Sequence, residues 1–278
     1  MSDTTWRSVL NEAVATVGEV DARRLVEQAA GYDGAELVLH LDETPTQRSM
    51  AYFDAMLARR RAGEPLQYVL GRWGFRTLDL MVDARVLIPR PETEEVAGAA
   101  IEHARRLGAR TVLDLGTGSG AIALSLAVEL PGVEVWATDV SADALDVARA
   151  NLAGIGRDAT RVRLECGSWF DPLPDGLRFD VIVANPPYVR DTERLPPDVA
   201  EWEPAVALYG GPDGTTQPFT VIDAAPAWLR RPGVLVMEHA PYMGDATVER
   251  ALAAGFDTAE THRDLTGRER YLVATIQG

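Results

Sequence analysis

Residues 181–188, VIVANPPY, run from four apolar strand-forming residues into an amide, two prolines and a phenol. Proline removes a backbone donor and fixes φ, so the pair ends any strand ladder at that point. The strand gives way to a stiff turn. Asn185 offers a side-chain carbonyl as acceptor, and Pro186 offers a main-chain carbonyl. Pro187 rigidifies the turn so that this carbonyl can point at a site. Two acceptors in fixed positions suit an NH2 group with two hydrogens. Tyr188 adds a flat face against a planar substrate. Such a set can hold an amide or an exocyclic amine in line with an electrophilic carbon.

A second group lies at residues 114–120, DLGTGSG. Gly116, Thr117, Gly118, Ser119 and Gly120 form a turn between a strand and a helix. Its glycines let a ligand approach the backbone, and a helix N-terminus comes next. A turn of this kind can serve NAD, FAD, or nothing beyond tight strand–helix packing. The spacing is not the Gly-x-Gly-x-x-Gly of dinucleotide folds. Asp114 sits just before the turn, where a pyrophosphate would meet a carboxylate and a cationic amino group would gain from it. Asp139 ends the next strand, about 20 residues on, where a carboxylate can accept both ribose hydroxyls. Its other reading is the N-cap of the next helix, a role that Ser141 can fill. A nucleoside with a cationic, unphosphorylated tail is S-adenosylmethionine, whose sulfonium methyl is the electrophile the Asn-Pro-Pro-Tyr turn requires. A third strand ends in Cys166-Gly167-Ser168-Trp169, and Trp169 either stacks on adenine or belongs to the core.

These residues need a scaffold that delivers strand ends to one edge. From Thr111 onward short apolar strands alternate with helical segments: TVLDLG, VEVWATD, RVRLEC, DVIVAN, GVLVMEH and finally YLVATI. That alternation predicts an α/β fold, a mostly parallel sheet covered by helices. Residues 1–72 space apolar residues three and four apart in WRSVLNEAV, DARRLVEQAA and MAYFDAMLARRRAG, which predicts a helical bundle. Residues 73–90 read as a β-hairpin linker. Residues 91–278 form the main domain, starting with Pro91 at a first helical position and Glu92, Glu94 and Glu95 in the first turns. The stretch from Arg190 to Pro218 reads as a long loop beside the site.

The 278 residues carry 42 acidic and 27 basic side chains, a formal net charge of −15. Every one of the 27 is Arg. This balance speaks against a stable nucleic-acid footprint, which needs a basic face. Arg59-Arg60-Arg61 is the densest basic run and falls at a predicted helix end, where cations complement the dipole. One cysteine, Cys166, excludes an internal disulfide, and the four histidines have no metal-ligand spacing. No run approaches the roughly 20 apolar residues that cross a bilayer. The N-terminus lacks the pattern of a secretory signal. The expectation is a cytoplasmic, monomeric protein without a metal.

Asn185-Pro186-Pro187-Tyr188 with the DLGTGSG turn resembles the amino-methyltransferases. These include DNA adenine methyltransferases, some ribosomal RNA guanine methyltransferases and the glutamine methyltransferases of peptide-chain release factors. LIPRPETEEV, GEPLQYVLGRWGF and EPAVALYGGPDG resemble the last group, the HemK family. The resemblance runs over almost the whole chain, with the N-terminal helices its least family-like part. It implies a Rossmann-like class I methyltransferase domain joined by the hairpin to a small recognition bundle. It implies S-adenosylmethionine as cofactor and the glutamine of a Gly-Gly-Gln loop in a class I release factor as substrate. By position, Gly116 to Gly120 then bind the methionine moiety with Asp114, Asp139 the ribose, Ser168 and Trp169 the adenine edge, and Asn185 to Tyr188 the glutamine amide. Ser168 departs from the acidic residue that the family often has before the aromatic. Two rivals are a methyltransferase for an exocyclic amine of a nucleic-acid base, and a non-catalytic module that binds the cofactor and docks ribosome-associated partners. The acidic charge disfavours the first and the intact tetrapeptide the second.

Overall fold

The computed structural model describes residues 4–278. The chain divides into two compact units. One runs up to Arg72 and takes in Pro196–Trp202 as well; the other comprises Trp73–Leu195 and Glu203–Gly278.

The first unit is helical: α1 (Trp6–Val17), α2 (Glu19–Ala30), α3 (Ala35–His40), α4 (Gln47–Arg61) and α5 (Leu66–Leu70). Thr5 and Ser8 close a reciprocal capping box at the start of α1. Gly31 ends α2 in the left-handed conformation that favours glycine. The apolar faces meet in a core of Trp6, Val9, Leu25, Val26, Leu37, Phe53, Met56 and Leu66 among others. Arg59, Arg60 and Arg61 do occupy the last turn of α4, and the first two also pair with Glu64 and Asp21.

At the start of the second unit β1 (Arg72–Phe75, its first residue the last of the helical unit) and β2 (Leu78–Met81) form a two-stranded sheet. The strands are shorter than the segment 73–90 expected to form the hairpin, and residues 82–90 run without regular structure. Then come α6 (Pro91–Leu107), β3 (Thr111–Leu115), α7 (Ala121–Glu129), β4 (Glu134–Asp139), α8 (Ala142–Gly154), β5 (Val162–Cys166) and β6 (Phe179–Ala184). The short α9 (Pro197–Ala200) belongs to the first unit. The chain closes with α10 (Thr216–Trp228), β7 (Leu229–Glu238), α11 (Gly244–Ala254), β8 (Thr258–Arg263) and β9 (Glu269–Ile276). The region expected as one loop from Arg190 to Pro218 therefore holds α9, a 3-10 turn at Ala205–Ala207 and the start of α10.

The seven-stranded sheet has the order β5-β4-β3-β6-β7-β9-β8. Strands β3 to β7 are parallel; β9 runs antiparallel to β7, and β8 antiparallel to β9. β8, TAETHR, is not among the strands expected from the sequence. It is a polar strand at the sheet margin with little buried surface, so it carries no apolar pattern to read. Alternate residues of the central strands feed two cores. Val112, Val181, Val183, Val234 and Val236 face α6 and α7. Leu113, Leu115, Ile182, Leu235 and Met237 face α10 and α11. The helix α7 is buried all round, as its apolar sequence requires. Chain order reverses at β3, with β4 on one side and β6 on the other, and a crevice opens beyond the carboxyl ends of such neighbours.

Candidate active site

A cavity of about 330 Å³ occupies that crevice. Its lining includes Gly116, Thr117, Gly118, Ser119, Asp139, Ser168, Trp169, Asn185 and Pro187. The residues singled out from the sequence thus converge from four strand ends. Asp114, Gly120, Pro186 and Tyr188 adjoin these residues in the chain and are not themselves part of the lining.

Asp114 is 1% exposed. Its Oδ2 accepts from the Thr117 hydroxyl at 2.7 Å and from the Ala123 amide at 3.1 Å. Its Oδ1 is buried and has no hydrogen-bond partner among the described residues. Burial, with nearby Asp139 adding to it, pushes the Asp114 carboxyl up to about 7. A buried acceptor left unused suits a ligand that brings a positive charge. The turn above it needs its glycines: Gly116, Gly118 and Gly120 have φ of 71°, 55° and 85°.

Asp139 joins the two first strand ends. Its Oδ2 accepts from the Gly118 amide at 2.8 Å and its Oδ1 from the Ser141 amide at 2.9 Å. Ser141 caps α8 through its own hydroxyl, which accepts from Ala144. Each Asp139 oxygen keeps lone-pair capacity for one more donor, as a pair of ribose hydroxyls would need. Burial raises its pKa.

Trp169 belongs to the core and to the cavity wall at once. The residue has a φ of 45°, unusual for a side chain of its size. Its carbonyl accepts from Thr138 at 2.8 Å, and its indole nitrogen donates to Gln217 at 3.1 Å. One side packs on the core shared with Phe170, while another part of the residue lines the cavity. Ser168 also lines the cavity.

The Asn-Pro-Pro-Tyr turn is clamped from two directions. The segment 203–214 is zipped onto it: the Val189 amide donates to Leu208 and the Gly210 amide to Val189. A Cβ on Gly210 would stand 2.4 Å from the Pro187 carbonyl oxygen, and one on Gly214 2.3 Å from that of Tyr188. Only glycine allows this approach, which explains the GGPDG stretch. Glu203 begins the segment; its carboxylate accepts from the Ile88 amide at 3.0 Å and from Arg90 at 2.5 Å. The cavity wall made by Leu87, Pro89, Pro204, Val206 and Tyr209 is thereby held together.

From the other direction, Asn185 Nδ2 donates at 3.2 Å to the hydroxyl of Thr93, which also lines the cavity, and Thr93 donates to the buried Glu238 Oε2 at 2.7 Å. The Tyr188 hydroxyl donates to Glu238 Oε1 at 2.9 Å. The phenol expected to face a substrate is turned inward to this carboxylate. Glu238 is fully buried at the end of β7, and burial pushes its carboxyl up to about 7. Burial and the neighbouring Glu238 hold the Tyr188 hydroxyl well above its ordinary value, so it stays protonated as a donor.

Sequence reasoning missed Thr93, Glu238, Glu203 and Asn151. Thr93 lies within LIPRPETE, but no neighbouring letter marks its hydroxyl as a partner of Asn185. The readable signal for Glu238 is a carboxylate closing the apolar run LVME, since a charge at a buried strand end needs partners.

The fold is that of a Rossmann-like methyltransferase domain, with the cavity at the carboxyl ends of its parallel strands. Known proteins agree with this class. The family described as "Methyltransferase small domain" matches residues 98–201, and "PrmC N-terminal domain" matches residues 4–71. The helices taken from sequence as the least family-like part are thus matched by a family of their own. A release factor glutamine methyltransferase of Bifidobacterium longum is 42% identical, covering 96% of both chains. One of Xylella fastidiosa is 40% identical, covering 98% of each. The chain belongs to the release factor glutamine methyltransferase family. Among solved structures, a methyltransferase from Pyrococcus furiosus aligns over 81% of this chain and 98% of its own with a TM-score of 0.53 at 19% identity, a likeness of fold alone.

Proposed function

We propose that this protein transfers a methyl group from S-adenosylmethionine to the side-chain amide nitrogen of the glutamine in the Gly-Gly-Gln motif of class I release factors. The observation that carries the reading is the anchored amide of Asn185 at the cavity wall, in a chain whose relatives match it nearly end to end. When bound, S-adenosylmethionine supplies an electrophilic methyl group on a sulfonium.

The residues divide the work. Asp114 and the turn Gly116 to Gly120 receive the cationic methionine end, and Asp139 takes the ribose hydroxyls. Trp169 and Ser168 border the base. Asn185 Oδ1 and the Pro186 carbonyl accept the two hydrogens of the substrate NH2, which turns its lone pair toward the methyl group. Pro187 fixes the turn, and Tyr188 supports it through Glu238. Transfer would form the N–C bond and break the S–C bond, with S-adenosylhomocysteine leaving as a neutral thioether, and the methylated nitrogen then releases one proton to water. No strong base is needed beforehand, because the methylated nitrogen is very acidic.

An amide nitrogen is a poor nucleophile, so binding energy from the rest of the substrate must be used for positioning. The helical unit is the recognition module in this reading. The net charge of −15 favours a protein substrate over a nucleic acid. The protein acts as a monomer in the cytoplasm, where release factors work. No helix among the described residues is long and apolar enough to cross a membrane.

The test is mass spectrometry of the Gly-Gly-Gln peptide from an intact release factor after incubation with isotope-labelled cofactor. One labelled methyl group on the glutamine is expected. Methylation of a DNA or RNA oligonucleotide with none of the release factor would hand the assignment to the base-methylating rival. Cofactor binding without transfer to either would leave the non-catalytic module.

A further inference from the structure

Resting on that reading of the site, the geometry points to Glu238 and Thr93 as positioning residues that dictate which end of the Asn185 amide faces the substrate. A carboxylate is acceptor-only. Glu238 therefore obliges both of its neighbours, the Thr93 and Tyr188 hydroxyls, to donate to it, at 2.7 and 2.9 Å. Thr93 has one hydrogen, and Glu238 takes it. What Thr93 offers Asn185 is then a lone pair, so the atom of Asn185 facing it must be the NH2 nitrogen. Oδ1 is left for the cavity.

The consequence is chemical. An Asn185 turned the other way would present two hydrogens to a substrate group that also carries two. The amide cannot choose between these poses by shape, because its oxygen and nitrogen ends are nearly the same size. The choice is made behind the wall, by a charge that touches neither cofactor nor substrate.

The charge is set by its surroundings on every side. Glu92 and Thr93 on α6, Tyr188 after β6 and Arg270 on β9 face Glu238; Glu92 favours its protonated form and Arg270 its ionised form. Arg270 is in turn braced by Asp264 at 3.2 Å. Once protonated, Glu238 can donate to Thr93. Thr93 is then free to donate to Asn185, and the polarity of the chain is lost.

Three variants test this. Glu238→Gln brings a donor into the position of the acceptor. Thr93→Val keeps the shape and removes the relay, and Thr93→Ser restores the hydroxyl. The expected outcome is a fall in kcat of about 10²-fold for Glu238→Gln and Thr93→Val, and recovery in Thr93→Ser. The KM for S-adenosylmethionine should stay near wild type. The wild-type kcat should rise with pH as Glu238 loses its proton, and this acid limb should vanish in Glu238→Gln.

A readout independent of turnover is the Asn185 side-chain NH2 signal in nuclear magnetic resonance of the free protein. Above about pH 7, where Glu238 is ionised, it should be protected from solvent exchange in wild type and Thr93→Ser, and unprotected in Thr93→Val. Wild type that methylates the release factor, with Thr93→Val keeping full kcat and a protected Asn185 NH2, would overturn the inference while leaving the functional reading intact. Wild type that methylates no release factor would sink that reading first. A Glu238→Gln protein that fails to fold leaves the Thr93 pair to decide.

Discussion

Asn151 takes both main-chain groups of Met81. Its Oδ1 accepts from the amide at 2.7 Å and its Nδ2 donates to the carbonyl at 3.0 Å. The same Nδ2 also donates to the Ser119 carbonyl at 2.9 Å. One buried amide on α8 thus joins the end of the hairpin to the glycine turn at the cavity.

Asn151→Asp should therefore damage both. It keeps the acceptor for Met81 but removes both donors, at a cost of about 1–3 kcal/mol for each carbonyl left unpaired. Urea denaturation should show the loss of stability. Calorimetry at a temperature where the variant is folded should show weaker S-adenosylmethionine binding, because Ser119 is no longer held. A variant as stable as wild type would mean that water replaces the amide.

With Asp114 as the partner of the cationic end of the cofactor, affinity should depend on pH. Its carboxyl is raised to about 7 in the free site, so it is increasingly protonated below that point. A bound cation favours the ionised form, and binding below about pH 7 must expel a proton. Affinity should then fall by up to about tenfold per pH unit below 7 and level off above it. Calorimetry in buffers of different ionisation enthalpy should detect the released proton at about pH 6. Flat affinity across this range would place the positive charge of the ligand elsewhere.

Asn185→Ala separates binding from transfer. S-adenosylmethionine affinity should be largely unchanged, while the single-turnover rate of methylation falls by about 10²-fold or more. In the proposed arrangement the substrate amide loses one of the two acceptors that turn its lone pair. Near-normal turnover would sink the two-acceptor arrangement.

The helical unit exposes apolar side chains that its own core does not need. Leu39 is 81% and Val38 54% exposed on α3. Leu39→Asp should raise the KM for an intact release factor by about tenfold, a typical cost for a contact residue at the centre of an interface. Activity on an isolated Gly-Gly-Gln peptide should not change. Added salt should likewise raise the KM for the protein substrate more than it lowers kcat. An equal effect on protein and peptide would mean that this face is not where the substrate docks.

The parts of the fold and site legible in sequence are those whose signal is local. The DLGTGSG turn needs glycine for its positive φ, and Asn185-Pro186-Pro187-Tyr188 breaks a strand in a way no ladder tolerates. Both can be read from neighbouring letters. Glu238, Thr93 and Asn185 become one device only when β7, α6 and β6 are brought together, and no spacing rule links residues so far apart. β8 escapes because a polar marginal strand is defined by its partner rather than by its own pattern. The inward turn of Tyr188 escapes for a related reason: its hydroxyl answers a buried charge 50 positions away.

The helical unit includes Pro196–Trp202, which the chain reaches only after four of the seven strands of the main sheet. Gly63 lies close enough to Trp202 that a Cβ there would stand 3.9 Å from the indole nitrogen. The two units are therefore interleaved along the chain and are not beads on a string. A chimera made by exchanging residues 4–72 for those of a relative would leave that short insert behind, facing foreign neighbours. Transplanting the helical unit between members of this family requires moving both pieces together. Divergence in one piece should be matched by compensating change in the other.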